Sequence, residues 1–65
     1  MNIGNERLLS IEEASQVLGV KVGTLYNWVS RQRIKYIKVG RLVRFSHGII
    51  DEFIRNNTVQ KTPNE

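Results

Sequence analysis

The chain has 65 residues, no cysteine and a formal net charge of +4, and this combination excludes several classes of protein. A chain of this length forms one small domain, which buries only about 60% of the surface of its unfolded state. Without cysteine it has no disulfide framework, thiolate zinc site or dithiol redox motif, and one histidine cannot form a multi-histidine metal site. No apolar run approaches the ~20 residues of a membrane span, and residues 1–5 lack the features of a signal peptide. We therefore expect a cytoplasmic domain without a metal or other cofactor.

The charge is unevenly distributed along the chain. Between Glu13 and Asp51 there is no acidic residue, whereas this central segment carries seven basic residues. The two flanking segments together have a net charge of −3. Such a basic centre indicates a polyanionic partner, either nucleic acid or an anionic membrane surface, although basic residues can also simply keep a surface soluble. The seven residues are Lys21, Arg31, Arg33, Lys35, Lys38, Arg41 and Arg44.

The first predicted helix begins with a capping box. Ser10 can cap the helix while Glu13, three residues later, reaches back to the backbone of the cap. The helix covers about residues 10–18, and Gly19 ends it in a left-handed conformation. Apolar residues at helical spacing form one stripe, which predicts the inward face of this helix. They are Ile11, Ala14, Val17 and Leu18.

A second helix is predicted over about residues 22–31. It begins weakly, because Lys21 is a poor N-cap and Gly23 in the first turn costs up to ~1 kcal/mol relative to alanine. Glycine at that position would also let another molecule approach the backbone closely. A short turn containing Gly19 separates the two helices, and small Ser15 suits their close approach, as in a helix-turn-helix. The inward side chains are expected to be Val22, Leu25, Trp28 and Val29.

From Tyr36 to Phe45 the hydrophobic pattern alternates, which predicts two β-strands. Gly40-Arg41 suits a two-residue hairpin turn with glycine first. The side chains expected to face inward are Ile37, Val39, Val43 and Phe45. Those expected to face outward are Lys38 and Arg44.

A third helix is predicted over about residues 47–56, with Ser46 as its N-cap. Its apolar positions are Ile49, Ile50, Phe53 and Ile54. The fold class is therefore mostly α with a small β-hairpin, in the order helix, helix, hairpin, helix. In this arrangement, a winged helix-turn-helix, the hairpin is the wing.

Four segments of the chain together carry a family resemblance: Leu8-Leu9-Ser10-Ile11-Glu12-Glu13-Ala14, Leu18-Gly19-Val20, Thr24-Leu25-Tyr26 and Lys38-Val39-Gly40-Arg41-Leu42-Val43-Arg44-Phe45. They resemble the excisionase family, which comprises small winged helix-turn-helix proteins of phages and conjugative elements related to the MerR-type DNA-binding domain. The resemblance implies a protein that binds double-stranded DNA beside attachment sites, bends it and directs a tyrosine integrase toward excision. A small transcriptional regulator with the same fold is the alternative.

In winged helix-turn-helix proteins the second helix enters the major groove and contacts base edges. Asn27 could bind adenine, Arg31 guanine, and the methyl group of Thr24 a thymine methyl. Alternatively, Thr24 replaces the missing N-cap and Asn27 is only solvated. Tyr26 either bonds a phosphate or packs on the core, whereas Trp28 is expected in the core. The predicted contacts of this helix are Gly23, Thr24, Tyr26, Asn27 and Arg31.

Further contacts are predicted for the hairpin and the segments around it. Arg41 at the tip would reach the minor groove or its phosphates, and Gly40 would let the backbone come close. Arg33 and Lys35 are equally compatible with loop residues that touch no DNA. The predicted wing and backbone contacts are Lys21, Arg33, Lys35, Lys38, Gly40, Arg41 and Arg44.

The acidic residues are expected to be structural. They are concentrated early in two helices, where the helix dipole favours negative charge. These residues are Glu12, Glu13, Asp51 and Glu52. Asp51 is also spaced to pair with Arg55. His47 is expected to be exposed, and no nucleophile–base arrangement occurs, so we expect no enzymatic activity.

The domain organisation follows from composition. Residues 8–56 are expected to form the DNA-binding domain, residues 1–7 a flexible arm and residues 57–65 a disordered tail. No long dimerisation helix follows residue 56, so we expect no small-molecule effector. We expect cooperative self-association on repeated DNA sites. A module that docks on a partner protein is a second alternative, whereas membrane binding is disfavoured because the basic residues do not follow one amphipathic helix.

Overall fold

The elements of the chain follow the predicted order of helix, helix, hairpin and helix in a computed structural model, which describes residues 7–59. The helices are α1 (Ile11–Leu18), α2 (Val22–Ser30) and α3 (His47–Asn56). The strands β1 (Ile37–Val39) and β2 (Leu42–Arg44) form an antiparallel hairpin. The mostly helical fold with one small hairpin is thus confirmed. No helix of the described part is long and apolar enough to cross a membrane.

The ends of α1 are formed as predicted. The Glu13 amide donates a hydrogen bond of 3.1 Å to Ser10 Oγ, and the Ser10 amide donates one of 2.9 Å to Glu13 Oε1. This bond from the Ser10 amide is the main reason that the pKa of Glu13 lies below its ordinary value, and the nearby Arg7 and Arg44 lower it further. At the other end Gly19 has φ +73°, and its amide bonds to the Gln16 carbonyl.

α2 begins without a side-chain cap and ends in a strained turn. Lys21 makes no capping hydrogen bond, and within the described residues the Thr24 hydroxyl makes none either, so Thr24 does not replace the cap. After the last turn Gln32 has φ +57°, and the Arg33 amide bonds to the Trp28 carbonyl at 2.8 Å. This is a Schellman motif in which glutamine occupies the left-handed position that glycine usually takes.

The core lies where the three helices meet the hairpin. Its buried residues are Leu9, Ile11, Ala14, Leu25, Ile34, Phe45 and Ile50. Trp28 packs against this cluster, with its ring centroid 5.4 Å from that of Phe53, which confirms it as a core residue. Leu9 reaches the core because it forms a β-bridge with Phe45, a contact that local sequence patterns did not predict.

Two residues of the predicted apolar stripes are exposed instead of buried. Val17 on α1 is 56% exposed and Ile54 on α3 is 44% exposed. The inward face of α1 is formed by Ile11, Ala14 and Ser15, and Val17 lies outside it. Ile54 similarly lies beside Ile50 and Phe53, which make the contact of α3 with the core.

The register of the hairpin corrects the predicted faces. Val39 pairs with Leu42, and Ile37 pairs with Arg44. Directly opposed residues of an antiparallel pair share a face, so Ile37 and Val39 lie on the face of Arg44 and not on that of Val43. The core packs against the face that carries Val43. Val39 lies on the other face and is therefore 47% exposed. The alternation of side chains within each strand does not show which residues of the two strands share a face, because that depends on the register that the turn sets.

The ends of the domain differ in part from expectation. Asp51 and Glu52 lie beyond the first turn of α3. Asp51 forms no ion pair with Arg55; instead the Lys35 ammonium lies 3.3 Å from the Glu52 carboxylate. Past α3, the Thr58 hydroxyl donates to the Ile54 carbonyl at 2.7 Å. Most of the predicted arm and tail, residues 1–6 and 60–65, lies outside the described residues.

Candidate nucleic-acid interface

α1 and α2 are held close together by small and apolar side chains. Ser15 is buried at their contact, and its hydroxyl is satisfied by the Glu12 carbonyl at 2.8 Å. Leu25 on the facing side of α2 has no exposed surface. The Val20 amide bonds to the Ser15 carbonyl at 3.0 Å, which fixes the turn between the helices. The pair therefore presents the opposite side of α2 to solvent.

The exposed side of α2 carries the residues predicted to contact bases. A Cβ atom added to Gly23 would meet no atom within 4 Å, so the backbone at the start of α2 is open to a partner. Thr24 is half-buried, and Tyr26 is 54% exposed. Asn27 and Arg31 are exposed. These five positions thus form a polar surface along α2.

The hairpin tip and α2 border one groove. Gly40 has φ +63°, which allows the two-residue turn, and Arg41 beside it is exposed. The groove has a volume of about 310 Å³. Its lining residues are Ile11, Glu12, Tyr26, Arg41, Leu42, Val43 and Arg44. The structure thereby brings Tyr26 of α2 and the basic tip of the hairpin to one face, called here the groove face. The other predicted contacts of α2 are not among the residues that line this groove.

A family model for the helix-turn-helix domain matches residues 8–58. The chain belongs to the helix-turn-helix domain family. This family covers excisionase-like small DNA-binding proteins, and its domains are typically not enzymes. Comparison of the chain with curated proteins and with solved structures finds no match to either. Together with the three helices and the hairpin, the family match identifies the arrangement as a winged helix-turn-helix that binds double-stranded DNA, with the hairpin as its wing.

Most basic residues of this helix-turn-helix domain make no ion pair with any residue that the structure describes. Within residues 7–59 the ion pairs are Arg7–Glu13 and Lys35–Glu52. Of the seven basic residues of the central segment, therefore, Lys35 alone is paired with a described carboxylate. Basic side chains that make no ion pair can bind DNA phosphates and release the counterions held there.

Arg44 makes a hydrogen bond within the wing, and its charge also acts on Glu13 of α1. Its side chain is half-buried, and one guanidinium nitrogen donates to the Val43 carbonyl at 2.8 Å. Its positive charge also lowers the pKa of Glu13 at the start of α1. Arg44 thus acts on the start of α1 through its charge, while its side chain borders the groove face.

Arg33 and Lys35 lie at a different place from the other predicted contacts. They border a second groove, of about 570 Å³, whose walls include Ile34, Tyr36 and Ile49. Lys35 is tied there to Glu52 of α3. The structure does not bring these two residues to the groove face. Lys21 and Lys38 are exposed, the first at the start of α2 and the second on β1.

Two wing residues next to the tip were not predicted to be functional. Val39 was expected in the core, and Leu42 received no role, yet the two form an exposed cross-strand pair. The turn Gly40-Arg41 is the signal that could have identified them, because a two-residue turn makes its flanking residues direct partners on one face.

Proposed function

We propose that α2 binds in the major groove of duplex DNA while the wing contacts the adjacent minor groove. The observation that carries this proposal is the groove face, where Tyr26 of α2 and Arg41 of the wing tip border one cleft. A duplex seated on both elements would place the exposed start of α2 at base edges, as in other helix-turn-helix domains.

In the proposed binding mode, the exposed side of α2 contacts the bases and so reads the DNA sequence. Asn27 can pair with adenine through two hydrogen bonds, and Arg31, one turn further on, can pair with guanine. The methyl group of Thr24 would contact a thymine methyl. Gly23 leaves space for close approach of the DNA, and Tyr26 would donate its hydroxyl to a phosphate.

In the same binding mode, basic residues around α2 and on the wing position the protein on the DNA. Arg41 enters the minor groove, whose negative potential attracts arginine. Lys21, Lys38 and the free donors of Arg44 lie near enough to these elements to contact phosphates. Arg33 would contact a phosphate only beyond the edge of the groove face, and the ion pair of Lys35 with Glu52 makes Lys35 the weakest member of this set.

We further propose that the protein is an excisionase-like recombination directionality factor. It would bind beside attachment sites, bend the DNA and direct a tyrosine integrase toward excision, without chemistry of its own. The support is the membership of a family that covers such proteins and the resemblance of the four sequence segments to excisionases. Cooperative binding to repeated sites would let so small a module cover a longer stretch of DNA.

The role in excision can be tested in a purified system. A plasmid carrying two attachment sites is incubated with the tyrosine integrase that recombines them, with and without the protein. We expect the excised circle to appear only, or much faster, when the protein is present. If excision is unchanged while the protein binds the same DNA, the role is that of a small transcriptional regulator. If it binds the integrase but no DNA, the protein-docking alternative is correct.

A further inference from the structure

We propose that Val39 and Leu42 form an apolar wedge that enters the minor groove beside Arg41 and kinks the DNA. This inference rests on the proposed binding mode and adds to it the side chains that deform the duplex. It concerns residues that carry no charge and that the predicted set of DNA contacts leaves out.

The first observation is that this apolar pair is exposed and stands outside the core cluster. Val39 and Leu42 are direct partners across the hairpin, 47% and 52% exposed. Neither belongs to the buried core, and Ile37 on the same face is likewise not part of it. An exposed valine and leucine at the end of a two-stranded hairpin contribute little to stability, because their apolar surface remains in water.

The second observation is the position of the pair relative to α2. Leu42 lines the groove face together with Tyr26 and Arg41. Val39 shares the face of Leu42 and is separated from it only by the turn. A duplex that contacts Tyr26 and Arg41 would therefore meet the pair as well.

The third observation is charge, which decides between DNA and an apolar protein partner. The nearest charged residues along the hairpin are Lys38, Arg41 and Arg44, and the hairpin itself contains no acidic residue. Arg41 adjoins the pair in the turn and Arg44 shares its face, whereas Lys38 lies on the opposite face and Glu12 also lines the groove. An apolar pair with arginines beside it matches the minor groove, where phosphates flank a floor of bases and sugars. A protein surface would have to supply both an apolar pocket and several carboxylates.

Physical chemistry gives such a pair a definite effect on DNA. Apolar side chains inserted from the minor groove partially unstack a base step and bend the duplex toward the major groove. Unstacking costs a few kcal/mol per step and is repaid by the additional contacts that the bend permits. Arg41 would hold the tip in the groove while the pair presses on the base step.

The experiment measures ligase-catalysed circularisation of a linear duplex of mixed sequence with cohesive ends, about 125 bp long and so shorter than one persistence length of DNA. The variant is Val39→Thr/Leu42→Thr, which keeps residues suited to strands. The control is Val17→Thr/Ile54→Thr, which changes an equally exposed apolar pair outside the wing. Affinity for the same duplex is measured in parallel by fluorescence anisotropy.

We expect the parent protein and the control to raise circularisation by about tenfold or more at saturation. The wing variant should lose most of this increase while its Kd rises less than about fivefold, because the phosphate contacts that dominate affinity are kept. The wedge is wrong if the wing variant circularises DNA as well as the parent, or if the parent binds without promoting circularisation. If the parent does not bind duplex DNA at all, the proposed binding mode itself fails.

A second measurement needs no variant and holds even if the wing variant is unfolded. A duplex with 2-aminopurine at successive A·T positions is saturated with the parent protein. Unstacking of the probe raises its fluorescence, so we expect an increase at one or two neighbouring positions. Fluorescence that stays constant at every position would overturn the wedge.

Discussion

Gly23 illustrates how a residue that is unfavourable for folding can serve binding. It occupies the second position of α2, where it weakens a helix start that already lacks a side-chain cap. No neighbouring atom requires glycine there, since an added Cβ would stand in open space. Its use must therefore lie outside the isolated domain, and close approach of DNA to the backbone supplies one.

We expect Gly23→Ala to raise the free energy of unfolding by up to about 1 kcal/mol, because alanine is the better helix former. The same change should weaken DNA binding several-fold, because the new methyl group meets the duplex. Urea denaturation and anisotropy titration measure the two effects.

Gly48→Ala is the matched control for this prediction. Gly48 occupies the same second position in α3, and its added Cβ would make only an ordinary contact, 3.9 Å from Ser46 Oγ. It should stabilise the fold similarly and leave DNA affinity unchanged. Equal DNA affinity of the two variants would show that nothing approaches Gly23.

Asn27 and Arg41 should affect DNA binding in different ways. Arg41→Ala should weaken binding to all sequences and reduce the salt dependence of log K by about 0.9. Asn27→Ala should lose about 1–3 kcal/mol of discrimination at one base pair and bind other sites nearly as before. Titrations of a selected site and its single-base variants at several salt concentrations measure both, with Arg55→Ala on α3 as the control. Uniform loss of affinity in both variants would contradict the division between readout and positioning.

At the scale of elements, α1 and α2 end in the same motif with different residues. Gly19 after α1 and Gln32 after α2 both lie in the left-handed region, with φ +73° and +57°. A non-glycine residue there costs about 1–2 kcal/mol. The end of α2 is thus strained where the end of α1 is relaxed.

We expect Gln32→Gly to raise the free energy of unfolding by about 1 kcal/mol, since the relief of strain exceeds the greater freedom of glycine in the unfolded chain. The reciprocal change Gly19→Gln should lower it by a similar amount, because its added side chain meets no neighbour and only the backbone is strained. Urea midpoints at constant slope measure both. A Gln32→Gly protein no more stable than the parent would contradict the strain at this position.

Local signals predicted the helices well and the hairpin only in part. The capping box of Ser10 and Glu13 and the caps at Gly19 and Ser46 involve residues within a few positions of each other, so the sequence displays them directly. The faces of the strands depend on register across the turn, and Val39 was placed on the wrong side for this reason.

For the candidate site, the sequence identified the exposed residues of α2 and the wing tip but not their neighbours in space. Helical periodicity was sufficient to predict that Asn27 and Arg31 are exposed, and the turn signal to predict that Arg41 is. The ion pair of Lys35 with Glu52 joins residues far apart in the chain, and no local pattern predicts it. The groove between α2 and the wing likewise exists only once the hairpin has packed against α1.

At the scale of the whole molecule, the surface has regions that differ in charge. The groove face and the start of α2 carry Lys21, Arg41 and Arg44, none of them paired with a described carboxylate, beside the single groove-lining carboxylate of Glu12. α3 carries Asp51 and Glu52, and the latter neutralises Lys35. A polyanion should therefore bind on the groove face and leave α3 untouched, which is the central claim about this protein.

Amide chemical-shift mapping with a ¹⁵N-labelled chain and a duplex of selected sequence tests that claim most directly. We predict that the largest shifts fall in residues 26–31, in and just after α2, and in residues 38–44 of the wing. Amides of α3, residues 47–56, should move little and provide the internal control. Shifts that are largest in α3, or that are absent at DNA concentrations saturating for other helix-turn-helix domains, would contradict the account.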